Sequence, residues 1–221
     1  METKRRKIVP EMEGPMARWY AKQRGSEPQL AQWRRQASSL AADLAPGASV
    51  LEVAPGPGYL SIELARLGFA VTGLDISHTF VSLAAARARA EGVTVDFRHG
   101  DVADLPFADD SFDLVVCQAA FKNFSSPVTA LDQIHRVLRP GGQAVIHDMN
   151  RGATGDDIRA DVAGMRLNAF NSSVTRLTLG WLRRRAYSAA DFERVAADSA
   201  FGGSAAHADG MTLEVRLTRS A

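Results

Sequence analysis

Ser49-Val-Leu-Glu-Val-Ala-Pro-Gly-Pro-Gly-Tyr-Leu-Ser-Ile-Glu-Leu-Ala65 is the stretch that decides the fold. It opens on an apolar run, Val50 to Val53, that is suited to a buried strand. Gly56 and Gly58 interrupt this run, and leucines then recur at helical spacing. A strand, a glycine turn and a helix open many nucleotide-binding parallel sheets, because the turn brings backbone N–H groups and a helix N-terminus to the ligand.

The residues around the turn indicate which nucleotide it suits. A dinucleotide site holds a pyrophosphate on free N–H groups, but Pro55 and Pro57 have none, and Ser61 replaces the third glycine of G-x-G-x-x-G. The Glu52 carboxylate would repel a phosphate. It would attract the sulfonium and ammonium groups of S-adenosylmethionine, so the turn favours that cofactor over NAD.

This motif resembles that of class I S-adenosylmethionine-dependent methyltransferases, and the chain is similar to the small-molecule group of ubiquinone and menaquinone biosynthesis. The family pattern is an acid followed by three glycines at alternate positions, which here reads Glu52, Ala54, Gly56 and Gly58. Alanine in the first glycine position permits close packing if its φ is negative, but it leaves less room beside the methionine portion of the cofactor.

A second carboxylate follows the next apolar run, residues 69–74. Asp75 stands at the predicted carboxyl end of that strand, where it could accept both hydroxyl hydrogens of a ribose. Its alternative role is capping the following helix, although Ser77 can do that. Ile76 is placed to lie against one face of the adenine.

The resemblance implies further cofactor contacts. It assigns Asp101 to the adenine amino group, the backbone N–H of Val102 to a ring nitrogen, and Gln118, at the end of the fourth strand, to the region of the transferred methyl group. Tyr20 resembles residues of an N-terminal segment that closes over the cofactor, with ordinary core packing as the alternative. The Leu-Arg-Pro-Gly-Gly turn at 138–142 is also typical of the family.

The residues that would meet the methyl acceptor are less clearly marked. Lys122 and Asn123 follow the fourth strand; Lys122 either points to solvent, which we favour, or meets an anionic substrate group. His147, after the fifth strand, is the first candidate for a general base, and a buried structural histidine is the alternative. Asp148 and Asn150 are too few ligands to indicate a metal.

Residues 151–185 are expected to form a substrate lid, because insertions before the last helix have this role in related enzymes. We predict helices over 158–170 and 174–185 with a short link at 171–173. Three polar residues of this segment are further candidate acceptor contacts: Arg166, Asn168 and Asn171.

The length and composition of the chain indicate its domain organisation and the kind of partner it suits. A chain of 221 residues, 46% of them hydrophobic, predicts one methyltransferase domain over 1–221 with an N-terminal helical cap over 1–45. The net charge of +1 argues against general attraction to nucleic acid. One cysteine, Cys117, and no secretory or membrane-spanning run predict a cytoplasmic protein without membrane insertion; a homodimer is left open.

These patterns predict an α/β three-layer sandwich. Its sheet should hold seven mostly parallel strands with one antiparallel edge strand, covered by helices on both faces. The favoured function is methyl transfer from S-adenosylmethionine, which becomes S-adenosylhomocysteine, to an O, N, C or S atom of a small metabolite. An RNA methyltransferase using the basic segments 4–7 and 183–185, and a non-catalytic cofactor-binding protein, are the alternatives.

Overall fold

Seven strands form one sheet within residues 11–165 and 168–220, the parts of the chain that the computed structural model describes. The spatial order is β3-β2-β1-β4-β5-β7-β6, and β1 to β5 run parallel to one another. In chain order the strands are β1 Ser49–Val53, β2 Ala70–Asp75, β3 Asp96–His99, β4 Phe112–Gln118, β5 Leu138–Met149, β6 Ala205–Asp209 and β7 Thr212–Thr218.

The antiparallel part of the sheet lies at the edge beyond β5. Strand β7 pairs antiparallel with both β5 and β6, so one strand runs against the others, as the sequence predicts. Because β6 takes the outermost place, β7 lies one position in from the edge. Gly210 adopts a φ of 48° in the predicted β6–β7 hairpin turn.

Helices cover both faces of the sheet, which gives the predicted three layers. On one face, α2 and α3 pack Trp33 and Leu60 around Val50. On the other, α5 and α8 pack Leu131 and Phe192 into the cluster that contains Leu51. The helices are α1 Gly14–Arg24, α2 Glu27–Ala41, α3 Tyr59–Arg66, α4 His78–Ala90, α5 Pro127–Val137, α6 Gly155–Gly164, α7 Ala169–Arg183 and α8 Ala189–Ala197.

None of the helices in the described ranges has the length and apolar composition required to cross a bilayer.

Neighbouring residues of β1 alternate between the two cores because successive side chains of a strand point to opposite faces. Strand β1 lies between β2 and β4, so the chain leaves it toward one side of the sheet and later returns on the other. Such a switch point opens a crevice beyond the carboxyl ends of the strands.

Some predicted boundaries differ from the structure. Residues 171–173, predicted to link two helices, lie inside α7, because the side chain of Asn168 accepts a hydrogen bond from the backbone N–H of Asn171 (2.8 Å) and starts the helix earlier. Strand β5 already begins at Leu138, so the predicted turn at 138–142 belongs to this strand, whose pairing with β4 is irregular between Phe112 and Leu114.

Candidate cofactor site

A cavity of about 250 Å³ opens at the carboxyl ends of β1, β2 and β4, where the topology places a crevice. Helices α1 and α2 close it from the N-terminal side through Tyr20, Arg24 and Trp33. Most of the residues predicted from the sequence to contact the cofactor or the acceptor region line this cavity: Tyr20, Glu52, Ala54, Gly56, Asp75, Ile76, Asp101, Val102, Gln118 and Asn123.

The glycine turn contains a strained residue. Ala54 has a φ of 56°, so the condition under which an alanine packs closely here, a negative φ, is not met. Its backbone N–H donates to the carbonyl of Leu74 (2.8 Å), which ties the end of β1 to β2. The left-handed conformation costs an alanine about 1–2 kcal/mol relative to the right-handed one, a cost that glycine avoids.

Gly58 supports the turn from behind rather than lining the cavity. It has a φ of 78° at the N-cap of α3, and an added Cβ would lie 2.7 Å from Cζ of Phe97 and 2.8 Å from Cβ of Ala84. The position therefore requires glycine for two reasons, its backbone conformation and the close approach of α3 to β3 and α4.

Asp75 is a buried carboxylate whose hydrogen bonds shape the turn. Its Oδ2 accepts from the backbone N–H of Gly56 (2.9 Å) and its Oδ1 from that of Ser77 (2.8 Å). Burial raises the pKa of Asp75, and these two hydrogen bonds counteract that rise. Ser77 caps α4 by accepting from the N–H of Phe80 (3.1 Å), as the sequence predicts. A carboxylate has about four acceptor positions, so Asp75 keeps two for a ligand.

Glu52 lies at the end of β1 and is only 2% exposed. The hydroxyl of Ser61 donates to its Oε2, which explains why a hydroxyl residue fits where a dinucleotide-binding turn has a glycine. Burial raises the pKa of Glu52 to about 7, with the nearby negative charge of Asp75 adding to the rise. A cationic ligand in the cavity would favour its ionised form.

His147 does not line the cavity but contacts a residue that does. Its Nδ1 lies 2.8 Å from the Nε2 atoms of both Gln118 and Gln36, and its Nε2 lies 2.7 Å from an oxygen of Glu214. The amide nitrogens are donors, so a neutral ring accepts at Nδ1 and donates from Nε2 to Glu214. The base role of His147 stays a prediction; the geometry favours positioning of Gln118.

Lys122 is half-buried with its side chain largely covered, so the favoured prediction that it points to solvent is wrong. Its Nζ lies 2.7 Å from Oδ1 of Asp148, and the two side chains are 10% and 6% exposed. The backbone N–H of Lys122 also donates to Oδ2 of Asp148 (2.8 Å). Since a buried charge is stable only when it is paired, the partner on β5 keeps this lysine inside.

The predicted lid contributes less to the cavity than expected. Asn168 is the N-cap of α7, and Asn171 is exposed in the first turn of that helix; neither lines the cavity. Arg166 lies outside the described residues. Of the basic run 183–185, which the RNA alternative would use, Arg184 is exposed, whereas Arg183 is half-buried and donates to the carbonyl of Ala153.

A metal site is not supported in the described ranges, where no group of three or more histidine, cysteine, aspartate or glutamate residues could hold an ion. Asn150, weighed with Asp148 as a ligand, uses its side chain within the protein. Its Nδ2 donates to the carbonyl of Gly210 (3.0 Å), and its Oδ1 accepts from the N–H of Gly152 (2.8 Å).

The cavity residues that were not predicted from the sequence include two from the N-terminal helices. Arg24 and Trp33 come from α1 and α2, and neither belongs to the strand-end motifs on which the sequence analysis rests. The spacing of Tyr20 and Arg24, four residues apart on one helix, was the available signal, because such residues share a helix face.

Comparison with known proteins finds matches to the central part of the chain. Residues 51–146 match the methyltransferase domain family. The chain is 38% identical over 116 residues to a demethylmenaquinone methyltransferase of Thermus thermophilus, covering 52% of each protein. It is 39% identical over 124 residues to a 2-phytyl-1,4-naphtoquinone methyltransferase of Synechococcus elongatus, covering 54% of this chain and 53% of that protein. The matches therefore span about half the length of these relatives.

Solved structures extend the likeness to nearly the whole chain at the level of the fold. A putative S-adenosyl-L-methionine-dependent methyltransferase from Methanococcus maripaludis has a TM-score of 0.72 at 17% identity, with 98% of this chain and 97% of that chain covered. A SAM-dependent methyltransferase from Aquifex aeolicus has a TM-score of 0.68 at 16% identity, with 91% and 97% covered.

The chain has the fold of a class I S-adenosylmethionine-dependent methyltransferase domain. The residues fit its cofactor: Asp75 and Asp101 offer acceptors to hydroxyl and amino groups, Ile76 and Val102 offer apolar surface, and Glu52 offers negative charge.

Proposed function

We propose that this protein transfers a methyl group from S-adenosylmethionine to a small aromatic acceptor of the hydroquinone type. The observation that carries the proposal is the cavity in which Glu52, Asp75, Asp101 and Gln118 meet at the strand ends. The acceptor class is supported by the names of the two relatives, both of which are naphthoquinone-type methyltransferases.

In this proposal each end of the cofactor has a matching residue. Asp75 accepts from the ribose hydroxyls with the two acceptor positions that the backbone leaves free. Asp101 accepts from the adenine amino group, while Ile76 and Val102 lie against the ring. Glu52, ionised by the approach of the cation, faces the ammonium group.

The cofactor supplies a methyl group that its sulfonium has already activated, so the protein needs chiefly to align the acceptor and exclude water. For a carbon acceptor, the cofactor would supply the methyl group and keep the C–S bond electrons on sulfur, and the ring proton of the acceptor would leave to solvent. Asn123 and Phe124, beyond the end of β4, are the cavity residues placed to contact that ring. Alignment can supply about 7–11 kcal/mol of barrier reduction.

The test is a turnover assay with radiolabelled S-adenosylmethionine. A 2-alkyl-1,4-naphthohydroquinone, a panel of phenols and amines, and total RNA serve as acceptors. We expect methylation of hydroquinones and none of RNA. Salt-sensitive methylation of RNA would support the RNA alternative, and cofactor binding without turnover on any acceptor would support the non-catalytic one.

Replacement of His147 tests how much a base contributes. We expect His147→Ala to lower turnover by no more than about a hundredfold, the low end of the range for general-base catalysis. The control is His207→Ala, on the edge strand β6. A far larger loss at His147, with cofactor affinity intact and activity rescued by imidazole, would make His147 an essential base.

Two features of the proposal come from the sequence alone. A cytoplasmic location and a homodimer remain predictions. The former is tested by cell fractionation and the latter by light scattering of the purified chain.

A further inference from the structure

The outer face of α7 exposes a stripe of large apolar side chains. Val174, Leu177 and Trp181 are 46%, 78% and 50% exposed. They are three and four residues apart, so they share one face of the helix. The helix packs against α6, and no described residue of α7 lines the cofactor cavity. The stripe therefore belongs to the outer surface of the protein and not to the site described above.

The same part of the sequence is rich in arginine and free of acids. Between Asp161 and Asp191 it holds five arginines and no aspartate, glutamate or lysine, although the whole chain has a net charge of only +1. Of these arginines, Arg176 and Arg184 are exposed. A block of charges of one sign attracts a surface of the opposite sign, so this part of the protein suits an anionic partner.

The apolar and cationic groups lie side by side. The guanidinium of Arg185 is 5.4 Å from the ring centroid of Trp181, and Arg184 directly follows the last residue of α7. Tryptophan is enriched where a bilayer meets water, and an arginine can lay its apolar stem along lipid while its guanidinium reaches a phosphate. An apolar helix face bordered by arginines is the composition of helices that lie in the surface of a membrane.

We propose that the outer face of α7 binds the surface of a bilayer that contains anionic lipids. Leu177 and Trp181 enter the boundary between headgroups and acyl chains, and Arg176 and Arg184 contact lipid phosphates. Because no helix in the described ranges can cross a bilayer, this attachment is peripheral. It goes beyond the proposed methyl transfer and does not depend on it.

Other occupants of this face match it less well. RNA offers no apolar surface to Val174 and Leu177, and a guanidinium already lies over the Trp181 ring on which a base would stack. A second copy of the chain, packed face to face, would bring the arginines of both copies together, and like charges oppose association. The bilayer satisfies both the apolar and the cationic groups.

The experiment is sedimentation of the full chain with two kinds of vesicle. One contains phosphatidylcholine alone, and in the other phosphatidylglycerol replaces roughly a third of it. We expect the wild type to bind the anionic vesicles only, and less tightly as salt is raised. Leu177→Ser combined with Trp181→Ser should weaken this binding by about 10- to 100-fold, because two apolar side chains no longer leave water. Arg176→Gln combined with Arg184→Gln should weaken it by about fivefold for each charge removed.

Two substitutions elsewhere on the surface are the matched controls. Trp19→Ser removes a tryptophan of α1 that is 62% exposed, and Arg89→Gln removes an exposed arginine of α4. Both variants should sediment with anionic vesicles as the wild type does. Far-UV circular dichroism equal to that of the wild type shows that each variant is folded.

Failure of the wild type to bind either vesicle, or equal binding to both, would overturn the proposal. An equal loss from Trp19→Ser would overturn it too, because adsorption would then not be specific to α7. Loss in the arginine variant alone, with RNA binding lost in parallel, would assign the face to RNA. If cofactor and acceptor protect α7 from hydrogen exchange and anionic vesicles do not, the stripe belongs to a lid and the proposal fails.

Discussion

The carboxyl ends of β1 and β2, beside the glycine turn, differ from helices α6 and α7 in which kinds of side chain are buried and which are exposed. At these strand ends, the side chains of Glu52 and Asp75 are buried, with 2% and 4% exposure, and are hydrogen-bonded to their surroundings. On α7, Leu177 and Trp181 are 78% and 50% exposed. Charged side chains are buried at the strand ends, whereas large apolar side chains are exposed on α7.

Under the lid hypothesis for residues 151–185, this difference follows from what each region would bind. A cofactor of constant structure requires acceptors at definite places, and these must be held by hydrogen bonds because buried carboxylates are unstable otherwise. An acceptor that differs between enzymes requires only an adaptable apolar surface. The family match, residues 51–146, contains Glu52 and Asp75 and ends before α6.

Removal of the Asp75 carboxylate should have the largest effect on the first region. We expect Asp75→Ala to weaken S-adenosylhomocysteine binding by about 1.5–3 kcal/mol, the usual scale for a hydrogen bond to a charged group. Calorimetry measures the change, with Asp96→Asn as the control because Asp96 is exposed at the far end of β3. Unchanged affinity would reassign Asp75 to shaping the turn through Gly56 and Ser77.

Cofactor affinity should also depend on pH through Glu52. Its pKa is about 7 in the unliganded protein, and a cationic ligand binds the ionised form, so affinity should rise as pH rises through 7. We expect binding about tenfold weaker at pH 6 than at pH 8, and proton release on binding at pH 6. Glu52→Gln should remove both effects; a pH dependence that survives in this variant would contradict the assignment.

The same carboxyl group should lower the stability of the unliganded protein as pH rises, whereas cofactor affinity should increase. Because the pKa of Glu52 is raised above the ordinary value of 4.5, its contribution to stability is fully present below 4.5 and is lost as pH rises through about 7. Urea denaturation of the unliganded protein should show this decline, and Glu52→Gln should flatten it over the same interval. An equal decline in the variant would point to other groups.

Relief of strain at Ala54 should have a smaller effect, and it should stabilise the protein. We expect Ala54→Gly to raise the free energy of unfolding by up to about 1 kcal/mol, because glycine adopts a φ of 56° without strain while its more flexible unfolded chain offsets part of the gain. Urea denaturation checks this, with Ala90→Gly at the end of α4 as a control that should lose stability. A loss at Ala54 would contradict the strain interpretation.

Substitution on the exposed face of α7 should affect stability least. Leu177→Ser should change the free energy of unfolding by no more than about 0.5 kcal/mol and leave cofactor affinity unchanged. If residues 151–185 close over the acceptor, hydrogen exchange in α6 and α7 should slow only when cofactor and acceptor are both bound. Equal protection with and without ligands would reject the lid.

The cofactor-site residues at the carboxyl ends of the strands were predictable because the sequence patterns that mark them are local. Gly56, Gly58 and Asp75 are each read from a strand followed by a turn, and parallel strands bring their carboxyl ends to one edge. The positions of Asp101 and Val102 came from the family resemblance and agree with the cavity lining. The assignment of individual cofactor atoms to these residues remains a prediction.

The errors concern residues whose environment depends on distant partners. The side chain of Lys122 turns away from solvent because Asp148, 26 residues later on the neighbouring strand, neutralises it. Arg24 and Trp33 reach the cavity only because α1 and α2 fold back over the sheet. Neither relation leaves a local pattern, and the left-handed backbone of Ala54 is unexpected for a residue with a Cβ.

The most direct test of the central claim is calorimetric titration of the unmodified protein with S-adenosylhomocysteine and with NAD. The claim is that the turn around Glu52 and the carboxylate of Asp75 form a site for the methyl donor. It predicts saturable binding of S-adenosylhomocysteine with one site per chain and no heat from NAD. Binding of NAD with no response to S-adenosylhomocysteine would contradict it.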